Sequence, residues 1–142
     1  MKNSALRVRD LMTAPVLALK EQDTVSALYD LMDTKHVRHV PIVDDEGDLV
    51  GLVSHRDLLR FTLVGLSDVP MTVQREVLRH TRVEELMTRD VVTSEADQDI
   101  GGVAEVMLEN KFGCVPVVEG SRLVGILTEA DFVRFVGRKM GG

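Results

Sequence analysis

The chain has 142 residues, 44% of them hydrophobic and 28% charged, with a formal net charge of −6. Such a chain makes one globular domain, or two small ones sharing a core, and not a nucleic-acid surface, which needs a clustered positive field. Its one cysteine, Cys114, allows no internal disulfide, the opening MKNSALRVRDLMTAP has no signal-peptide core, and no run approaches the ~18 apolar residues of a membrane span. A cytoplasmic location without membrane contact is the expectation.

Val8, Leu11 and Met12 lie at i, i+3 and i+4, the spacing of a short helical turn. PVLAL (15–19) then predicts a short strand. The stretch DTVSALYDLMDTKHV predicts a helix with Val25, Leu28 and Met32 on one face and Asp23 or Thr24 as its cap. VPIVD and LVGLV, joined by a turn containing Glu46-Gly47-Asp48, read as a β-hairpin. A helix follows from about Ser54. Residues 65–81 form a linker in which TVQREVLRH predicts a short helix.

The series then starts again. Val83, Leu86 and Met87 repeat the opening turn, 75 residues after Val8, Leu11 and Met12. DVVTS predicts the short strand. DIGGVAEVMLENKFG predicts the helix, with Ile100, Val103 and Met107 inward, Asp97 or Asp99 as cap, and a Gly101-Gly102 pair costing about 1 kcal/mol per glycine. VPVVE and LVGIL form the second hairpin around Gly120-Ser121, and a helix starts at about Thr128. Self-similarity over this length dictates the fold before any single motif does. The expected architecture is α/β (α+β): two β-α-β-β-α units, residues 7–64 and 82–138. A unit of about 60 residues is marginal alone. The two are therefore expected to pack through their sheets with pseudo-twofold symmetry.

The words VRDLMT…VRHVPIVDDEGDLVGLVSHRDLL and VEELMT…FGCVPVVEGSRLVGILTEADFV resemble the CBS domain family, named for cystathionine β-synthase. The resemblance covers nearly the whole chain. Each motif is degenerate alone; the complete order, found twice, is specific. It implies a Bateman module, a tandem CBS pair that binds adenosine-containing ligands and regulates another protein.

Ser54-His55-Arg56-Asp57 and Thr128-Glu129-Ala130-Asp131 carry most of the implied chemistry. Taken alone, Ser or Thr followed three residues later by an acid is a capping box. The same geometry also suits a nucleotide. A helix N-terminus offers N–H groups and the positive dipole end to phosphate. A carboxylate can accept hydrogen bonds from two ribose hydroxyls. The resemblance gives the Asp to ribose and the Ser or Thr to phosphate. It also brings in the loops Thr13-Ala14-Pro15-Val16 and Thr88-Arg89-Asp90-Val91 beside the purine, and Arg38-His39 and Gly113-Cys114 before the second strand of each repeat. Cys114 reads as a packing residue rather than a nucleophile.

By the same resemblance the sites are crossed. One is expected to combine Thr13, Pro15, Val16, Arg38 and His39 with Thr128 and Asp131. The other combines Thr88, Arg89, Val91, Gly113 and Cys114 with Ser54, Arg56 and Asp57. With Arg56 and Arg89 on one phosphate, the Ser54–Asp57 site is expected to bind more tightly near neutral pH than its counterpart, which relies on Arg38 and His39.

Metal and catalytic readings fare badly. His36 and His39 lack a second ligand pair, the acidic turn Asp44–Asp48 lacks the EF-hand pattern, and there is no P-loop, Rossmann fingerprint or nucleophile elbow. The expectation is no enzyme, no metal and no required cofactor. The ligand is AMP, ADP or ATP, with S-adenosylmethionine or NAD-type molecules as further candidates. The resemblance adds a homodimer formed through the CBS helices and an unidentified regulated partner protein. The competing reading is a ligand-free dimerisation or scaffold module.

Overall fold

The computed structural model describes residues 6–141. It holds two three-stranded sheets with helices, a mixed α+β architecture. The chain divides into two compact units, one of residues 17–90, the other of residues up to Val16 together with those from Val91 onward.

In the 17–90 unit the sheet order is β1 (Leu19–Lys20), β2 (His39–Val43), β3 (Leu49–Ser54). β1 runs parallel to β2, and β2 and β3 form the antiparallel hairpin. α2 (Val25–Lys35) is capped by Thr24, whose hydroxyl accepts from Ala27 N–H at 3.1 Å. It buries Val25, Leu28 and Met32, the face that the 3.6-residue period predicts. These pack with Val40, Ile42, Val53, Leu58 and Val83. Each fully buried aliphatic side chain contributes about 1.5–3 kcal/mol. Beyond β3 the chain makes α3 (His55–Leu59), then a π-helical segment, Arg60–Gly65. The helix predicted between the repeats is α4 (Met71–His80), and its Leu78 packs on the same core.

The other unit repeats the plan. It has α1 (Val8–Leu11), a sheet ordered β4 (Ser94–Glu95), β5 (Cys114–Glu119), β6 (Arg122–Thr128), then α5 (Ile100–Asn110) and α6 (Glu129–Gly141). Asp99 is the cap of α5 and accepts from Gly102 N–H at 3.2 Å. Val8, Leu11, Ile100, Val103, Met107, Val115, Val117 and Leu127 form its core.

The first strand of each repeat is shorter and later than the sequence predicts. PVLAL and DVVTS remain irregular except at their ends, where Leu19–Lys20 and Ser94–Glu95 pair. Leu19 faces Ile42 and Ser94 faces Val117, so one residue earlier Ala18 meets Pro41 and Thr93 meets Pro116. Proline has no N–H to give to the ladder, and pairing begins only beyond it.

Each unit takes its opening segment from the other repeat. Thr13 N–H donates to the Ile126 carbonyl at 2.8 Å, and Ile126 N–H to the Thr13 carbonyl at 3.0 Å. Thr88 and Leu52 exchange the same pair of bonds at 2.9 Å each. The bridges run against LVGIL and LVGLV, and the glycine in each word permits the approach. A Cβ on Gly125 would meet Met12 Sδ at 2.7 Å and the Thr13 carbonyl at 3.1 Å. On Gly51 it would meet Met87 Sδ at 2.5 Å and the Thr88 carbonyl at 3.1 Å. The methionines can shift, but the carbonyls are held by the bridges.

Gly51→Ala and Gly125→Ala are therefore expected to destabilise the protein by about 1–3 kcal/mol, as overpacking does. Gly102, in α5 with open space where a Cβ would stand, is the control. Gly102→Ala is expected to stabilise by a few tenths to about 1 kcal/mol. Urea unfolding measures all three, and a neutral Gly125→Ala contradicts the close-approach account.

Candidate functional site

Both Ser/Thr-x-x-Asp motifs sit where a hairpin's second strand turns into a helix. Ser54 ends β3 and Thr128 ends β6. At Ser54 the capping box is complete. Asp57 N–H donates to Ser54 Oγ at 3.2 Å, and Ser54 N–H donates to Asp57 Oδ2 at 2.8 Å. Ser54 Oγ–H also donates to Oδ2, at 2.9 Å. Asp57 is half-buried, and its Oδ1 has no hydrogen-bond partner among the described residues. One carboxylate oxygen is therefore open.

Asp131 has neither oxygen open. Thr128 N–H donates to its Oδ2 at 2.8 Å and the Thr128 hydroxyl at 3.3 Å. Thr13 Oγ1 donates to Oδ1 at 2.7 Å, and Arg134 Nη2 donates to the same oxygen at 2.6 Å. Asp131 is buried, 3% exposed, although it is ionisable; such a carboxylate needs charge-assisted bonds of this kind. The counterparts of Thr13 and Arg134 in the other unit, Thr88 and Arg60, are exposed, and neither side chain bonds Asp57.

The helix starts have fewer donors for phosphate than the motif alone implies. His55 N–H donates to the Arg38 carbonyl at 2.7 Å, and Glu129 N–H to the Gly113 carbonyl at 3.3 Å. Arg38 and Gly113 thus cap α3 and α6 through their backbones. The expected site sets divide between the units. Thr13, Pro15 and Val16 lie with Thr128 and Asp131; Arg38 and His39 belong to the other unit. Thr88 and Arg89 lie with Ser54, Arg56 and Asp57, while Val91, Gly113 and Cys114 belong to the other unit. Arg89 is engaged by carboxylates, with Nη1 3.3 Å from Glu21 and Nη2 3.9 Å from Glu84. A phosphate at Arg89 would compete with both.

Cys114 faces Thr128 across the β5–β6 hairpin and is buried. Burial, with the Asp131 charge as the lesser cause, pushes its thiol up to about 12. The acidic turn is structural: Asp44 Oδ1 accepts from the backbone N–H groups of Glu46 and Asp48, each at 3.0 Å. Among the described residues no group of three or more His, Cys, Asp or Glu could share a metal ion. No helix of the described residues is long and apolar enough to cross a membrane.

A cavity of about 230 Å³ opens beside Asp131, lined by Asp10, Thr13, Asp131, Arg134, Phe135 and Arg138 and by the chain from Leu11 to Ala14. Arg134 and Arg138 are absent from the expected site. The signal was in the sequence: Asp131-Phe132-Val133-Arg134 places opposite charges one helical turn apart.

A family model described as the CBS domain matches residues 8–63 and 83–138. The chain belongs to the CBS domain family. Among curated relatives of this CBS pair, an uncharacterised protein of Methanocaldococcus jannaschii is 34% identical over 92% of this chain; the match covers 42% of that protein. The L-aspartate semialdehyde sulfurtransferase of the same organism is 29% identical over 98% of this chain, which matches 25% of the enzyme. The chain thus spans less than half the length of these relatives. Among solved structures, CBSX2 from Arabidopsis thaliana is 28% identical, with a TM-score of 0.81 and coverage of 98% of this chain and 99% of that one. CBSX2 has also been solved in complex with AMP (29% identity, TM-score 0.79, 96% and 99% coverage). The CBS domain pair of protein MJ0100 has been solved with 5′-methylthioadenosine and S-adenosyl-L-methionine (27% identity, TM-score 0.76, 94% and 98% coverage).

The Cys114 environment makes a chemical prediction. The thiolate is the reacting form, so iodoacetamide should modify the native protein ~100-fold or more slowly than the urea-unfolded chain at pH 8. The folded value, about 12, lies above the 9.0 of an unburied thiol. The buried thiol therefore stabilises fully below pH 9.0 and loses that contribution as pH rises toward 12. Equal alkylation rates in the two states contradict this.

Proposed function

We propose that this CBS pair is a regulatory module that senses an adenosine-containing ligand of the AMP, ADP or ATP class and relays its presence to a partner protein. The observation that carries the reading is the open Oδ1 of Asp57 at a strand-to-helix junction. It leaves a half-buried acceptor for a ribose hydroxyl. AMP bound to CBSX2, and two adenosine derivatives bound to the MJ0100 pair, support the ligand class. Ser54, Arg56 and Thr88 on one side, and Thr13 and Thr128 on the other, are the groups we assign to ribose and phosphate with the two aspartates. Pro15, Val16 and Val91 are assigned to the purine. The module is non-catalytic in this reading. It works as a homodimer in the cytoplasm, biasing its partner through the difference in ligand affinity between two conformations.

The second reading, a ligand-free scaffold, finds its support at Asp131. There the carboxylate is fully used by the fold and needs no ligand to explain its burial.

Isothermal titration with AMP, ADP and ATP separates the two readings. Asp57→Ala is expected to weaken nucleotide binding by about ten- to a hundredfold at its site, the loss of about 1–3 kcal/mol expected for a charged acceptor. Absence of heat with every nucleotide in the intact protein favours the scaffold. Light scattering tests the dimer, and a mass of one chain at all concentrations, with and without nucleotide, contradicts it.

A further inference from the structure

The Asp131 network is an occupied form of the site that Asp57 leaves open. Two donors, Thr13 Oγ1 at 2.7 Å and Arg134 Nη2 at 2.6 Å, hold Asp131 Oδ1. A carboxylate oxygen accepting two such bonds has little capacity left for a ribose hydroxyl. A ligand can reach Asp131 Oδ1 only by displacing one of them. Thr13 is fastened by its backbone bridge to Ile126. Arg134 is held only by its side chain, which is 53% exposed on α6. Arg134 is the donor that can leave.

The cavity says where it can go. Arg134 and Arg138, one turn apart on α6, line the same space as Asp131 and Thr13. About 230 Å³ is smaller than the roughly 300–1,000 Å³ of a pocket for a drug-sized ligand. It suits part of a nucleotide, a ribose and its 5′ substituent. Asp10 brings an opposing charge into the lining, and Arg138, with no ion-pair partner among the described residues, offsets it. A guanidinium released from Asp131 is then the cation that an entering phosphate gains, with a planar fork suited to bidentate contact.

We propose, resting on the nucleotide-sensing reading above, that Arg134 determines specificity at the Thr128–Asp131 site. In the free protein it occupies Asp131. Displaced by ribose, it passes to the ligand's 5′-phosphate. The site therefore favours phosphate-bearing adenosine ligands over neutral ones. A neutral ligand must break the Arg134–Asp131 pair without return; a phosphorylated one replaces it.

The test is calorimetric titration of the full chain carrying Asp57→Ala, with AMP and with 5′-methylthioadenosine, before and after Arg134→Ala. Alanine is the best helix former, but the change takes a charge-assisted bond from a buried carboxylate, which keeps three hydrogen bonds from Thr13 and Thr128. Arg134→Gln, which retains a neutral donor, is titrated beside it, and a thermal melt of each variant checks that it is folded. The two ligands are expected to respond in opposite directions. 5′-Methylthioadenosine should bind about two- to fivefold more tightly once the half-exposed ion pair is gone. AMP should bind about tenfold more weakly for want of a charge-assisted bond to phosphate. Shifts of equal sign and size for both ligands, or none, overturn the proposal while leaving nucleotide sensing intact. No binding of either ligand to the unsubstituted chain removes nucleotide sensing and this inference with it. Nuclear magnetic resonance of the Arg134 side-chain N–H in the unsubstituted chain gives an independent reading. Both ligands should move that signal; a signal that neither bound ligand moves overturns the displacement.

Discussion

Two backbone bonds at each of two places organise this protein. Thr13 and Ile126 exchange one pair, Thr88 and Leu52 the other. Each fastens the opening segment of one repeat to the hairpin of the other, so each compact unit is built from both repeats. The glycines of LVGLV and LVGIL are consequences of that contact, because a side chain there would collide with the bridged carbonyls. The chemistry depends on it too. The bridge at Thr13 delivers the hydroxyl that holds Asp131, and Met12 and Leu11 follow it into the core and the cavity wall. Capping, core packing and site geometry are therefore one arrangement.

The two repeats share an order of strands and helices and differ in the side chains around it. Asp57 and Asp131 occupy equivalent junctions and use Oδ2 alike, toward the N–H and hydroxyl of the preceding Ser or Thr. They differ at Oδ1, which is open in one and doubly bonded in the other. Duplication supplied two copies of a helix cap, and small changes around each give them different capacities for a ligand. Capping and ligand recognition compete for the same oxygens. A repeat can therefore tune a site by changing a neighbour three residues along the helix rather than the motif itself.

Much of the fold was legible because hydrophobic period and capping residues are local. Val25, Leu28 and Met32, and Ile100, Val103 and Met107, are buried as their spacing predicts, and of the candidate caps Thr24 and Asp99 serve. The first strands were misplaced because their extent depends on the partner strand: Pro41 and Pro116 lie across the sheet, out of reach of a local pattern. At the site, the Ser/Thr-x-x-Asp words were readable as both cap and acceptor. Which carboxylate oxygen stays open was not, because Thr13 lies 118 residues from Asp131. The engagement of Arg89 by Glu21 was hidden for the same reason, a contact spanning 68 residues. Arg134 was within reach of the sequence, three residues from Asp131, but a helix-surface arginine beside an aspartate is common enough to pass for a solvated pair.

Native-state hydrogen exchange tests the central claim most directly, since it reads the stability of individual backbone bonds. The amides of Thr13, Ile126, Thr88 and Leu52 are predicted to exchange only with the global unfolding that releases core amides such as Val53 and Val115. Exchange of Thr13 and Thr88 as fast as the turn amides of Gly47 and Gly120 would mean that the opening segments open freely, and would contradict the account.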